Sequence, residues 1–157
     1  MTVAAMSVAA PSLPLTATEL SDLAVRARNS AEQDRMIAQN VHAAPLALLL
    51  EGTAPLETQA QAARLLANLA FQPPNKVVLT EAGAVEATLA AMRGYPRAAG
   101  FQQMGLTLLH NVSAFTPSGL VRCNDAGAKA VAIVARNTHL NNEDVTRQAE
   151  TVIGLLA

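Results

Sequence analysis

The sequence predicts an all-α protein built from stacked helical repeats, and three observations carry that prediction. An apolar phrase, ARLLANLAF (Ala63 to Phe71), returns about forty residues later as GLTLLHNVSAF, with Asn68 and Asn111 in matching places. A glycine recurs in register, Gly83 in EAGA and Gly127 in DAGA. Composition agrees: 51% of the residues are apolar, with much of that alanine, the strongest helix former, whereas strand-favouring aromatics make up only 3%. The period is 42 to 44 residues, in the range of stacked units of two or three helices.

Taken in order, the chain opens with MTVAAMSVAAPSLPLT, which lacks the basic residues of a secretory or mitochondrial leader. With Pro11 and Pro14 close together, residues 1–15 read as an unstructured tail. TATELSDLAVRAR, residues 16–28, reads as a capping helix started by Thr16 or Thr18, its charged residues alternating with Leu20, Leu23 and Val25. Three units follow, at about 29–70, 74–114 and 117–157.

Each unit divides into three helices. The first is short; in unit two it starts at Pro74-Asn75, a proline and a cap-competent residue. Gly83 and Gly127 end it and permit the sharp bend that a Cβ would resist. Unit one has Val41 or its neighbours at that place, which predicts a softer bend. A second helix follows, AVEATLAAM or AKAVAIVAR, with apolar residues at intervals of three and four. Turn signals close it: Glu51-Gly52-Thr53-Ala54-Pro55, Arg93-Gly94-Tyr95-Pro96 and Asn141-Asn142. The third helix is longest and carries the repeated phrase; in unit three it starts at Asn142-Glu143-Asp144, acids at the positive end of the helix dipole.

The pattern EAGA or DAGA, then LL, then A-x-x-L-x-N-L-A resembles the armadillo repeat over about 130 residues. The resemblance implies a right-handed α-solenoid of armadillo-type three-helix repeats, with the third helices lining a concave groove. Unit three departs from the pattern, with Leu155 where asparagine is expected. In such a groove the asparagine binds the backbone of an extended peptide, because one carboxamide offers both a donor and an acceptor. A second role is open to Asn68 and Asn111: bonding the neighbouring helix and bracing the stack.

Residues four and seven before each asparagine share its helix face. The expected groove therefore comprises Gln61, Arg64 and Asn68 in unit one, Met104, Thr107 and Asn111 in unit two, and Gln148 and Thr151 in unit three. Nuclear-import members of the family carry a tryptophan four before the asparagine. This chain has no tryptophan, and Arg64, Thr107 and Thr151 stand there, which disfavours a basic cargo. Mixed polar and small groups suit a neutral peptide or a partner helix. Val152, Ile153, Leu155 and Leu156 cluster near the last residue with no charge after Glu150, and predict an apolar end face that contacts a second copy, another subunit, or further repeats of a longer protein.

Catalytic chemistry has little support. His42, His110 and His139 are scattered, with no ligand-like spacing to Cys123, so no metal site is expected. Nucleophile-elbow, phosphate-loop and dinucleotide motifs are missing, and no cofactor is expected. Cys123 reads as a half-buried inert thiol. Eleven basic and twelve acidic residues are dispersed along the chain, which argues against nucleic acid or a membrane surface as partner. No apolar run reaches the roughly 18–20 residues that cross a bilayer. A single cysteine suits a reducing, cytoplasmic setting. The function expected is a non-enzymatic scaffold that binds a protein partner. Its alternatives are a cytoskeletal or ciliary assembly subunit docking through the end face, and a transport-receptor or exchange-factor module.

Overall fold

Residues 15–157 are described by a computed structural model, and every regular element among them is a helix. Unit one follows α1 (Ala17–Arg26) and comprises α2 (Ser30–Ala38), α3 (Ala43–Glu51) and α4 (Leu56–Leu69). Unit two is α5 (Pro73–Glu81), α6 (Ala84–Gly94) and α7 (Ala99–Ser113), and unit three is α8 (Pro117–Asp125), α9 (Ala128–Thr138) and α10 (Glu143–Leu155). Local chemistry sets the starts. Thr16 and Glu19 form a reciprocal capping box on α1, and Asn142 accepts from the Val145 N–H at the head of α10. Pro73 and Pro117 open α5 and α8, where a missing N–H costs nothing.

Corresponding helices lie side by side. First helices contact in the order α2, α5, α8, and second helices in the order α3, α6, α9. Third helices form the row α4, α7, α10, and α1 extends it by packing on α4. The predicted capping helix thus occupies a third-helix place. Leu20 and Ala24 are buried against its neighbour, but Val25, expected on the inner side, is half-exposed. Most of the expected tail lies outside the described residues; Leu15 is buried in the core.

The bend between first and second helices is made the same way in all three units. Gly83 has φ 91° and Gly127 φ 80°, and in unit one Asn40 takes the left-handed place with φ 58°. The softer bend expected at Val41 is therefore replaced by an ordinary one. Asparagine tolerates this region better than other side chains, because its short amide can bond locally.

Between the rows, Leu49, Leu66, Leu89, Met92, Leu106 and Leu109 are fully buried. Two glutamines that the apolar pattern does not single out are buried beside them. Gln102 Nε2 donates to the carbonyls of Met92 and Tyr95, at 2.9 and 2.8 Å, and so pins the turn from α6 into α7. Gln59 does the same before α4, donating to the Ala54 carbonyl at 2.8 Å and the Tyr95 hydroxyl at 3.1 Å. Helix α8 lies so close to the end of α7 that a Cβ at Gly119 would stand 1.8 Å from the Val112 carbonyl oxygen.

Candidate partner-binding surface

All eight expected groove residues lie on the third-helix row. Gln61, Arg64 and Asn68 on α4, Met104, Thr107 and Asn111 on α7, and Gln148 on α10 are half-buried; Thr151 is exposed. They alternate with buried positions, such as Leu65, Leu66 and Leu69 on α4, because a stripe of one helix face is left uncovered. The row's chemistry is mostly neutral. The hydroxyls of Thr107 and Thr151 donate back to the carbonyls of Gln103 and Arg147 four residues earlier, at 2.9 and 3.0 Å. Arg64 is the one basic residue among the eight and makes no ion pair with any described residue.

The two asparagines brace the row. Asn68 Nδ2 donates to the Ala24 carbonyl in α1, and Asn111 Nδ2 to the Ala67 carbonyl in α4, each at 2.8 Å. The reason lies in how the helices end. At the end of α1, Ala27 N–H bonds Leu23 O, but Arg28 N–H slips to Val25 O and leaves Ala24 O without a backbone donor. At the end of α4, Ala70 N–H bonds Leu66 O, and Phe71 N–H slips to Asn68 O, so Ala67 O is left in the same way. Each asparagine supplies the donor that the slip removes. The other amide hydrogen and the carbonyl oxygen remain on a half-exposed side chain, so bracing and ligand contact are compatible.

Unit three lacks the asparagine for a physical reason. Three residues separate Asn111 from Phe115, whereas two separate Asn68 from Phe71. The added residue, Ala114, lets its N–H reach His110 O at 2.8 Å, the carbonyl that corresponds to Ala67 O. With that carbonyl already satisfied, Leu155 costs nothing at the asparagine place. Asn68→Ala and Asn111→Ala are therefore expected to destabilise by about 1–2 kcal/mol each. Leu155→Asn should give no gain, and urea melts of the three variants check this.

The expected end face needs correction. Val152 and Leu156 are buried within the chain, 0% and 3% exposed: Val152 lies on α10, which packs on α7 and α9, and Leu156 follows the end of α10 in extended backbone. Ile153 and Leu155 are half-buried. The most exposed large apolar side chains among the described residues are instead Leu50, Phe71, Phe115, Val121, Val134 and Leu140. Phe71 and Phe115 follow the ends of α4 and α7, and Phe115 is held at φ 58°. Neither stands out in the sequence, since each ends an otherwise apolar run.

Most of the remaining titratable groups are buried or bonded within the fold. Cys123 is fully buried rather than half-buried; burial first, and the Glu86 charge second, push its thiol up to about 11. Lys76 donates to the Ala114 carbonyl at 3.0 Å, and burial holds its ammonium below the ordinary lysine range. His139 Nε2 lies 2.8 Å from the Pro96 carbonyl and ties two turns together. Burial lowers the pKa of His42. Among the described residues no three His, Cys, Asp or Glu side chains converge, and no helix is long and apolar enough to cross a membrane. Compared with protein-family models, curated proteins and solved structures, the chain finds no match in any of the three.

Proposed function

We propose that this chain is a non-enzymatic protein-binding scaffold, an armadillo-type right-handed solenoid that receives an extended peptide or a partner helix along its third helices. The observation that carries the reading is the repeated half-exposed stripe of Gln61, Arg64 and Asn68, then Met104, Thr107 and Asn111, then Gln148 and Thr151. Adjacent rows in a helix stack lie about 8–10 Å apart, so successive amides address peptide units roughly three residues apart. Partly spared carboxamides on such a row offer a peptide backbone what it needs, an acceptor and a donor. Docking through the C-terminal end face is the weaker reading, because Val152 and Leu156 are used inside the fold.

A photo-crosslinking side chain at Thr107, compared with one at Ser118, an exposed position on α8, tests the proposal in native extract. Adducts concentrated at Thr107 and lost on Asn68→Ala/Asn111→Ala are the expected result. Equal adducts at both positions would remove the third-helix row as the working surface.

A further inference from the structure

A second site lies on the row of second helices, and it does not rest on the surface proposed above. Between α6 and α9, Arg93 reaches across the seam: its Nη2 lies 3.5 Å from the carbonyl oxygen of Ala126, the residue that ends α8. The same nitrogen sits over Gly127, 3.9 Å from where a Cβ would stand. The chain thus covers the Ala126 end of this seam with its own guanidinium, while a smaller cavity of 290 Å³ lined by Arg93, Ala130 and Val134 remains beside it.

One repeat earlier the closure is missing. Buried positions on α6 match those on α3 and the residue before it at an offset of 43 residues, His42 with Val85, Leu46 with Leu89 and Leu49 with Met92. That register puts Leu50 in the place of Arg93, and Leu50 is 67% exposed. The carbonyl that corresponds to Ala126 O is that of Ala82, which receives no donor from the described residues. Here the seam opens into a cavity of 580 Å³, within the roughly 300–1,000 Å³ of clefts that hold ligands.

Its lining adds acceptors, and its one cation, Arg122, is paired with Glu86. Where the later seam has Ala130, this one has Glu86, bonded to Arg122 through a single oxygen, Oε1. Ala82 ends α5, so the negative end of that helix dipole faces the opening. His42 also lines the cavity; it is 7% exposed, and its Nδ1 has no hydrogen-bond partner. Leu46 and Leu50 supply an apolar wall.

We propose that this seam takes an arginine side chain from a partner protein, in the place that Arg93 fills one repeat later. The guanidinium fork donates to the Ala82 carbonyl and to the free Glu86 oxygen, while its methylene stem lies along Leu46 and Leu50. Arg122 is already neutralised by Glu86, so the incoming charge enters a cation–carboxylate–cation array and does not meet a lone arginine.

The test is an amide-resolved NMR titration with the blocked tripeptide acetyl-Gly-Arg-Gly-amide, its citrulline counterpart and a phosphoserine counterpart. Wild type should show saturable millimolar shifts centred on Ala82, Gly83 and Glu86, at least about tenfold weaker with neutral citrulline. Leu50→Arg should abolish them and raise the melting temperature, because the chain then caps Ala82 itself; Leu50 is exposed, so the variant is expected to fold. Equal binding of citrulline, undiminished binding by Leu50→Arg, or no saturable shift would overturn the proposal. So would preferential binding of the phosphoserine peptide, which would make this an anion site at Arg122.

Discussion

Gly119→Ala is expected to destabilise the protein by about 3 kcal/mol or more, beyond the usual range for adding a methyl to a packed interior. The new Cβ would lie 1.8 Å from the Val112 oxygen and 2.7 Å from its carbonyl carbon. These are backbone atoms of α7, and no rotamer change relieves the clash. At this chain length the loss corresponds to a melting temperature lower by roughly 6–12 °C. Helix α8 must move away from α7, and Cys123 on α8 provides an independent readout. In the native fold Cys123 is fully buried and its pKa is about 11, so a thiolate-specific reagent near pH 8 should find it almost unreactive. Gly119→Ala should make it react readily. Gly105→Ala is the control. Its Cβ would meet Met92 Sδ at 2.5 Å and Cγ at 2.7 Å, atoms of a flexible side chain that can shift where the Val112 backbone cannot. The gain of about 1 kcal/mol from replacing a mid-helix glycine offsets the shift of that side chain. An unchanged melting temperature in Gly119→Ala would show that α8 does not pack as described.

Why the sequence discloses some of this and not the rest follows from what kind of signal each feature leaves. Helical content and the three-helix units are visible because the spacing of Leu65, Leu66 and Leu69, or of Leu106, Leu108 and Leu109, reflects which face is buried. The bend at Asn40 is hidden, since its left-handed conformation leaves no residue pattern as plain as glycine. Gln59 and Gln102 are hidden as well. A glutamine reads as surface until the carbonyls it answers are known, and those lie in turns whose ends the sequence does not place.

The asparagines are an intermediate case. Their recurrence is legible, but their bracing role depends on whether a helix ends with an i+4 or an i+3 bond. That is decided by one residue, Ala114, which looks like ordinary spacing. The burial of Val152 and Leu156 is hidden for a related reason. Val152 and Leu156 look uncovered when charge is counted along the chain, yet helical phase turns Val152 inward, and Leu156 is buried from the extended residue that follows α10. That Gln61 to Thr151 fall on the third helices is legible, because it needs only the helical period.

Leu109→Ala is expected to cost about 3–4 kcal/mol, typical for truncating a fully buried leucine. Leu109 is 0% exposed and sits on α7, which packs against α4 and α10 in its own row and against α5, α6, α8 and α9 in the others. A cavity at that place withdraws support from units on both sides, so the melt should stay a single transition with a lower midpoint. Leu109→Met keeps the volume nearly unchanged and should cost less than about 1.5 kcal/mol, which separates cavity formation from a change of side-chain chemistry. Leu66, 43 residues earlier, is equally buried on α4. Helices α4 and α7 are in contact, so Leu66→Ala combined with Leu109→Ala should depart from additivity by at least about 0.5 kcal/mol. Strict additivity, or a melt that splits into two transitions, would mean that neighbouring units are energetically separate, and that the third-helix row does not act as one continuous surface.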